Sequence, residues 1–177
     1  MKAILKAALT ALALLCGACS APGVDHYAGT SPELDLVTFF DGEVHAWGLV
    51  QDRSGEVLRR FKADYSGQRS GDTVVVREHT AYLDGEMEDR TWTFKRTGEH
   101  SYTGETTDLV GLAMANAYGH ALNWNYTFKV RTKDKTWELD FDDWMYQIDD
   151  NVILNRVTMH KYGVRVGELT VTFQRVK

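Results

Sequence analysis

Hydrophobic and polar residues alternate along most of the chain beyond Leu34, and almost no stretch has the spacing of a helix. The alternation is clearest where polar residues separate the apolar positions Leu122, Trp124, Tyr126, Phe128 and Val130. Successive side chains of a strand point to opposite faces, so these five share one face. The pattern predicts strands that are buried on one side and solvated on the other.

Segments of about ten residues, rich in Val, Thr, Tyr, Phe and Trp and closed by Gly or Asp turns, predict nine strands. Most of the connections are too short for anything but antiparallel neighbours. Sequential antiparallel strands leave two edges exposed unless the sheet closes. We therefore expect an all-β fold, an up-and-down antiparallel barrel of about eight to nine strands, with a β-sandwich as the alternative. The predicted strands are 42–51, 57–68, 73–83, 87–96, 101–108, 117–132, 136–147, 152–162 and 164–175.

The segment from Asp108 to His120 breaks this rhythm with small residues and glycines. Two strands joined around Gly111 and a short flap over the barrel mouth both fit it, and a surface hairpin is the plainer interpretation. A barrel of about eight strands either packs solid or holds one small apolar ligand. Aromatic residues, 11% of the chain, suit a solid core and a cavity lining equally well, so both interiors stay open.

The first twenty residues have the order of a lipoprotein export signal. Lys2 and Lys6 form a basic start, residues 3–15 are apolar, and small residues precede Cys19. The apolar run is shorter than the about 20 residues of a membrane-spanning helix. An ordinary secretory peptide is the alternative. The predicted organisation is a signal peptide at 1–18, lipidation at Cys19, a lipidated tether at 19–33 and a single β-barrel domain at 34–177.

The predicted cleavage before Cys19 leads to an expected location and an expected net charge of the mature chain. Ser20 rather than Asp follows the cysteine, which favours the periplasmic face of the outer membrane, with the acyl anchor as the membrane contact. Loss of Lys2 and Lys6 leaves 18 of 20 basic residues against 25 acidic ones, a net charge of −7. This balance, without a Lys/Arg cluster, argues against nucleic acid as a partner. A single remaining cysteine excludes a disulfide within the mature chain.

Three strings of the sequence carry a family resemblance: FFDG with WGLVQDRSG at 39–55, FDDWMY at 141–146 and NRVTMHKYG at 155–163. Together they resemble a family of proteobacterial lipoproteins known as a domain of unknown function, over about 39–173. The resemblance implies a lipocalin-like, single-domain envelope protein without an established activity. Genes of that family often neighbour genes for fatty-acid modification, so it also implies a lipidic ligand or substrate. The glycine and the tryptophan of the first predicted strand, Gly42 and Trp47, resemble the glycine-to-tryptophan signature on the first strand of lipocalins, although the spacing between them differs. This resemblance implies that Trp47 plugs the floor of the barrel.

One carboxylate is predicted inside the barrel. Alternation along 136–147 points Asp143 inward, where a charge is costly unless it is paired. A two-residue turn at 149–150 puts Arg156 across from Asp143, and a guanidinium–carboxylate contact there satisfies both groups. Another turn length pairs different residues.

Two interpretations of this couple stay open. As a functional floor, Asp143 and Arg156, with Asn155 nearby, grip a ligand head group or polarise a carbonyl. As a structural pair, they lock the strand register. Trp144 and Tyr146 point outward, and packing against the N-terminal segment is favoured over contact with a membrane or a partner.

Signatures of other chemistry are missing from the sequence. The six histidines are scattered singly, without HxH or HExxH spacing. Neither a GxSxG nucleophile elbow nor a GxxxxGK phosphate loop occurs. We therefore expect no metal and no cofactor, and the sequence identifies no catalytic residue.

The leading hypothesis is a lipid-anchored envelope protein that binds or presents a hydrophobic ligand, with a fatty acyl lipid as the expected one. A lipid-modifying isomerase, cyclase or dehydratase, with Asp143 or a histidine as acid or base, is one alternative. A scaffold without a ligand is the other, and its protein partner is not identified by the sequence. The expected ligand-binding residues are Trp47, Trp124, Tyr126, Asp143, Asn155 and Arg156.

Overall fold

The computed structural model describes residues 21–132 and 134–176, and the predicted signal peptide and Cys19 lie outside them. Each strand pairs with the next along the chain, and the last pairs with the first, which closes an antiparallel barrel. The predicted up-and-down barrel is therefore confirmed, and the sandwich is excluded. The strands are β1 (Gly42–Asp52), β2 (Val57–Ser70), β3 (Thr73–Tyr82), β4 (Met87–Arg96), β5 (Ser101–Glu105), β6 (Leu109–Tyr118), β7 (Ala121–Arg131), β8 (Thr136–Asp149), β9 (Val152–Lys161) and β10 (Val164–Arg175).

The barrel has ten strands rather than eight or nine because the irregular segment forms a full strand, β6. Its inward positions are Ala113, Ala115 and Ala117, all buried, so the alternation is present but carried by small side chains. The register against β7 shifts between Val110 and Met114. The segment is therefore a bulged strand and not a flap.

The residues that precede β1 close one end of the barrel. Helix α1 (Leu36–Phe39) and Phe40 enter the interior, where Leu36 is 0% exposed and Phe40 is 2% exposed. Asp35 caps the helix, because its carboxylate accepts hydrogen bonds from the backbone N–H groups of Val37 and Thr38 at 3.2 and 3.5 Å. Arg96 forms an ion pair with the same carboxylate. The cap and the ion pair hold the plug in place.

Trp47 is not the floor plug, and that expectation is wrong. In β1 the inward positions are Val44 and Ala46, which are 1% exposed, whereas Trp47 points outward and is 44% exposed. The alternation of a strand fixes this outcome once Val44 faces the core. The role expected of Trp47 belongs to α1 and Phe40.

The segment before α1 lies against the outer wall near the closed end. It contains a 3-10 helix (Val24–Tyr27), and the Tyr27 ring meets Trp144 and Tyr146 edge-on, with centroids 6.3 and 6.0 Å apart. Thr30 Oγ1 is hydrogen-bonded to His120 Nδ1 at 2.7 Å. The prediction that the outer aromatic pair packs against the N-terminal segment is confirmed. Over the described residues, no helix has the length and apolar character to cross a bilayer.

Candidate functional site

The barrel encloses a cavity of about 390 Å³. Its lining runs from Leu36 and Phe40 at the closed end to Leu58, Arg131 and Thr132 at the other end, which is the mouth. The volume falls within the range of about 300–1,000 Å³ found for small-molecule sites. The composition left open whether the barrel is packed solid or hollow, and the structure shows that it is hollow.

Eleven aromatic side chains contribute to the cavity wall. The Trp92 ring stacks on Phe94 and Phe128 at centroid distances of 5.4 and 6.1 Å. The Tyr126 ring stacks on Phe141 at 5.2 Å. Flat, stacked rings offer a ligand large apolar contact areas without many freely rotating bonds.

A polar centre interrupts this wall. It consists of Asp143, Tyr126 and Asn155, and we call it the Asp143 centre. The Tyr126 hydroxyl donates to Asp143 Oδ2 at 3.0 Å. Asn155 Nδ2 donates to Asp143 Oδ1 and, at 3.0 Å, to the carbonyl oxygen of Trp144. Asp143 and Asn155 are 8% and 5% exposed, so the centre is screened from bulk water.

Burial controls the protonation of the Asp143 centre. Desolvation raises the pKa of Asp143 to about 7, even though the hydrogen bonds from Asn155 and Tyr126 lower it. Burial also raises the pKa of Tyr126 well above its ordinary value, so the phenol stays protonated and donates. Near neutral pH the carboxyl therefore exists in both forms, a pure acceptor when ionised and a donor and acceptor when neutral.

Arg156 is not a member of this centre, and the expected couple with Asp143 is wrong. The register shifts between Gln147 and Asp149, so β9 places Val157 opposite Asp143 and Arg156 opposite Trp144. A shift by one residue turns a side chain to the other face. Arg156 therefore points outward and donates to Glu168 Oε1 at 2.9 Å.

The structure divides the six predicted ligand-binding residues into two groups. Four of them line the cavity, whereas Trp47 and Arg156 lie on the outer face. The four that line it are Trp124, Tyr126, Asp143 and Asn155.

The cavity also contains a second polar group, an arginine held by three carboxylates, which the prediction from the sequence does not include. Arg90 lies 3.3 Å from Glu78, 3.3 Å from Glu88 and 3.4 Å from Asp108. Trp92 Nε1 donates to Glu78 Oε2 at 2.8 Å. A signal for this cluster is visible in the sequence, since Glu78 and Arg90 stand at inward positions of the alternating pattern in β3 and β4.

The Arg90 cluster keeps a fixed charge and faces the Asp143 centre. Burial lowers the pKa of Arg90, but attraction by Glu78, Glu88 and Asp108 raises it more, so the guanidinium is always charged. Glu78 of this cluster lies on β3, and β3 and β8 are five places apart in the order of ten strands, so Glu78 and Asp143 lie on opposing walls. The cavity therefore has an ionic wall, an opposing carboxyl and aromatic surfaces between them.

The described residues hold no group of three or more His, Cys, Asp or Glu side chains arranged for a metal ion.

The family of the chain follows from its sequence match. The family model for "Protein of unknown function (DUF3833)" matches residues 13–175. The chain belongs to this family. The predicted likeness to a domain of unknown function is thereby confirmed. A comparison with the curated proteins finds no match.

Solved structures show the same fold in distant proteins. The S-type phycobiliprotein lyase CPES from Guillardia theta matches with a TM-score of 0.58 and 7% identity, over 88% of this chain and 99% of that one. A protein of unknown function from the DUF3598 family of Nostoc punctiforme matches with a TM-score of 0.56 and 16% identity, over 84% of this chain. The match covers 53% of the Nostoc protein, so this chain spans about half its length. The shared lipocalin-like barrel is what these low identities show.

Proposed function

We propose that this protein binds a hydrophobic small molecule inside its barrel, and that the ligand is a fatty acyl lipid. The observation that carries the proposal is the cavity of about 390 Å³, walled by stacked rings and open at one end. Each buried methylene contributes about 0.8 kcal/mol, so about ten contribute roughly 8 kcal/mol. That gain is comparable to the about 4–15 kcal/mol that association costs, so the aromatic contacts and the polar centre supply the surplus.

The ligand-binding proposal predicts that filling the cavity abolishes binding. Ala113 is 1% exposed and lines the cavity, whereas its neighbour Met114 is 65% exposed on the outer face. Ala113→Phe puts a ring into the cavity, and Met114→Phe puts the same ring into solvent. Val171→Phe, which fills the cavity from β10, is the second inward variant.

The test is a titration of the mature chain with the fluorescent dye N-phenyl-1-naphthylamine, followed by displacement with monododecanoylglycerol. Circular dichroism and thermal melting check that each variant is folded. We expect the wild type and Met114→Phe to bind both molecules, and the two inward variants to lose both. Equal binding by all four proteins would place the ligand outside the cavity and contradict the proposal.

We also propose that the domain works at the periplasmic face of the outer membrane, held by acyl chains on Cys19. The order of residues 1–20 supports this location. Metabolic labelling with palmitate and membrane fractionation test it: the wild type should take up label and sediment with outer membranes, and Cys19→Ser should do neither. A labelled Cys19→Ser variant or an unlabelled wild type would contradict the anchor.

A lipid-modifying enzyme is the second candidate, favoured by one observation. A carboxyl that titrates near pH 7 in an apolar cavity has the pKa expected of a general acid or base. Asp143→Asn then abolishes the conversion of a lipid followed by mass spectrometry in cells, while dye binding is retained. Unchanged lipid profiles would remove Asp143 from any such chemistry.

A further inference from the structure

We propose that the Asp143 centre selects ligands that bring a hydrogen-bond donor into the cavity, such as an amine, a hydroxyl or an amide N–H, over ligands with a free carboxylate. The inference rests on the ligand-binding function proposed above. It adds the chemical class of the group that the cavity recognises.

The first argument is the unused acceptor capacity of Asp143. Each of its oxygens accepts one hydrogen bond from the protein, Oδ1 from Asn155 and Oδ2 from Tyr126. A carboxylate oxygen has two lone pairs, so each oxygen can accept one more bond. Asp143 also lines the cavity, where only a ligand or water can supply the missing donor.

The second argument is that the buried cation of the cavity wall, Arg90, is already paired. Arg90 is 14% exposed and is shared by three carboxylates, Glu78, Glu88 and Asp108. A ligand carboxylate would displace one of these partners and leave a buried charge unpaired, which costs several kcal/mol. The interior therefore repels an anion from two opposing walls.

The third argument concerns the basic residues at the mouth. Arg59 is bound by Asp84 at 2.9 Å and by Glu86 at 2.8 Å, and Arg131 is bound by Asp108 at 2.5 Å. Lys129 is exposed beside the mouth, at an outward position of β7. A fatty acid can place its carboxylate there, in water, with its tail inward. The affinity of a fatty acid bound in this way does not depend on Asp143. The effect of replacing Asp143 therefore distinguishes binding of a carboxylate at the mouth from recognition by the Asp143 centre.

The test compares three ligands of equal chain length, dodecylamine, dodecanol and dodecanoic acid, as competitors of N-phenyl-1-naphthylamine above pH 7, where Asp143 is ionised. We expect the amine and the alcohol to bind the wild type about ten-fold or more tighter than the acid, the effect of one hydrogen bond to a charged group. Asp143→Asn should weaken the amine about ten-fold and leave the acid unchanged.

Asp142→Asn is the matched control. It removes the same charge one residue away, on the outer face, where Asp142 accepts a bond from Asn123 at 2.7 Å. This variant should keep the order of the three ligands. Asp143→Leu, which replaces the carboxyl by an apolar group of similar volume, should lose the preference in the same way as Asp143→Asn.

The outcomes separate this inference from the function on which it rests. Tight binding of dodecanoic acid, with an order of affinities unchanged in Asp143→Asn and Asp143→Leu, would overturn donor selection and leave ligand binding intact. Absence of binding for all three ligands and for the dye would overturn the binding function itself.

Discussion

Tyr126 and Asp143 meet on a diagonal across β7 and β8. In the strand ladder Tyr126 lies opposite Phe141 and Asp143 lies opposite Trp124, yet the Tyr126 hydroxyl reaches Asp143 Oδ2 at 3.0 Å. The contact leaves the carboxyl within a wall of rings rather than within a network of charges. Its protonation therefore depends on burial, and the carboxyl lines the cavity, where each oxygen can accept one more hydrogen bond.

Asp143→Asn should stabilise the protein more as the pH rises. The folded pKa of Asp143, about 7, is above its ordinary value of 3.8. Between these values the folded state holds a proton that the unfolded state has lost, so this group makes the protein less stable as pH increases. Above pH 7 the variant should exceed the wild type in free energy of unfolding by up to about 4 kcal/mol, and near pH 4 by almost nothing.

Urea denaturation of the wild type and Asp143→Asn from about pH 4 to above pH 7 measures the difference in their free energies of unfolding. The other titrating groups are common to both proteins, so their contributions cancel in this difference. Asp142→Asn, on the outer face, should show no comparable rise. A difference between Asp143→Asn and the wild type that does not vary with pH would show that Asp143 is not held neutral by burial.

Arg90→Met should be strongly destabilising. Loss of the guanidinium leaves Glu78, Glu88 and Asp108 without their shared cation inside the barrel, and breaking a buried ion pair costs about 3–5 kcal/mol. Arg156→Met is the control, because Arg156 is 67% exposed and its pair with Glu168 resembles surface pairs of about 0–1 kcal/mol. Similar thermal shifts in the two variants would contradict the assignment of Arg90 to a buried cluster.

Gly67→Ala should displace the plug. Gly67 is buried in β2, and a Cβ atom there would overlap the carbonyl oxygen of Phe40. The backbone has to move, so we expect a loss of about 1–3 kcal/mol, as for other overpacked cores. At Gly98 the added Cβ would lie 3.7 Å from Ser101 Cβ, an ordinary contact, and Gly98→Ala should be nearly neutral. Chemical denaturation of both variants compares them directly.

Asp35→Ala should loosen the closed end of the barrel. The variant loses the helix cap and the ion pair with Arg96, for an expected loss of about 1–2 kcal/mol. Burial raises the pKa of Asp35, but hydrogen bonds from Arg96 and Thr38 lower it more, so its contribution is present above pH 3.8 and is lost as the pH falls through the folded value. Asp72→Ala, whose carboxylate is 67% exposed and 3.9 Å from Arg96, should have little effect. An equal loss in both variants would show that the cap is unimportant.

The alternation of inward and outward residues in β7 and β8 made the barrel fold and part of the candidate site predictable. It placed Trp124, Tyr126 and Asp143 inside before any contact was known, since alternation does not depend on the neighbouring strand. The extra strand β6 was harder to recognise because alanines mark its inward face. The expected position of Arg156 is wrong because it rests on an assumed register with β8. The alternation along β9, in which Ile153 and Val157 are buried, puts Arg156 on the outer face. The Arg90 cluster joins the neighbouring strands β3 and β4, where Glu78 lies opposite Arg90, so its charged inward positions are visible in the alternation. The contact with Asp108 depends on how the chain folds back before β6, which the alternation does not show.

Native mass spectrometry of the protein, purified from the cells that produce it, tests the central claim most directly. The account predicts a bound hydrophobic molecule that is present in the wild type and in Met114→Phe, and missing from Ala113→Phe. A wild-type protein without any bound molecule, or a molecule retained equally when the cavity is filled, would contradict it.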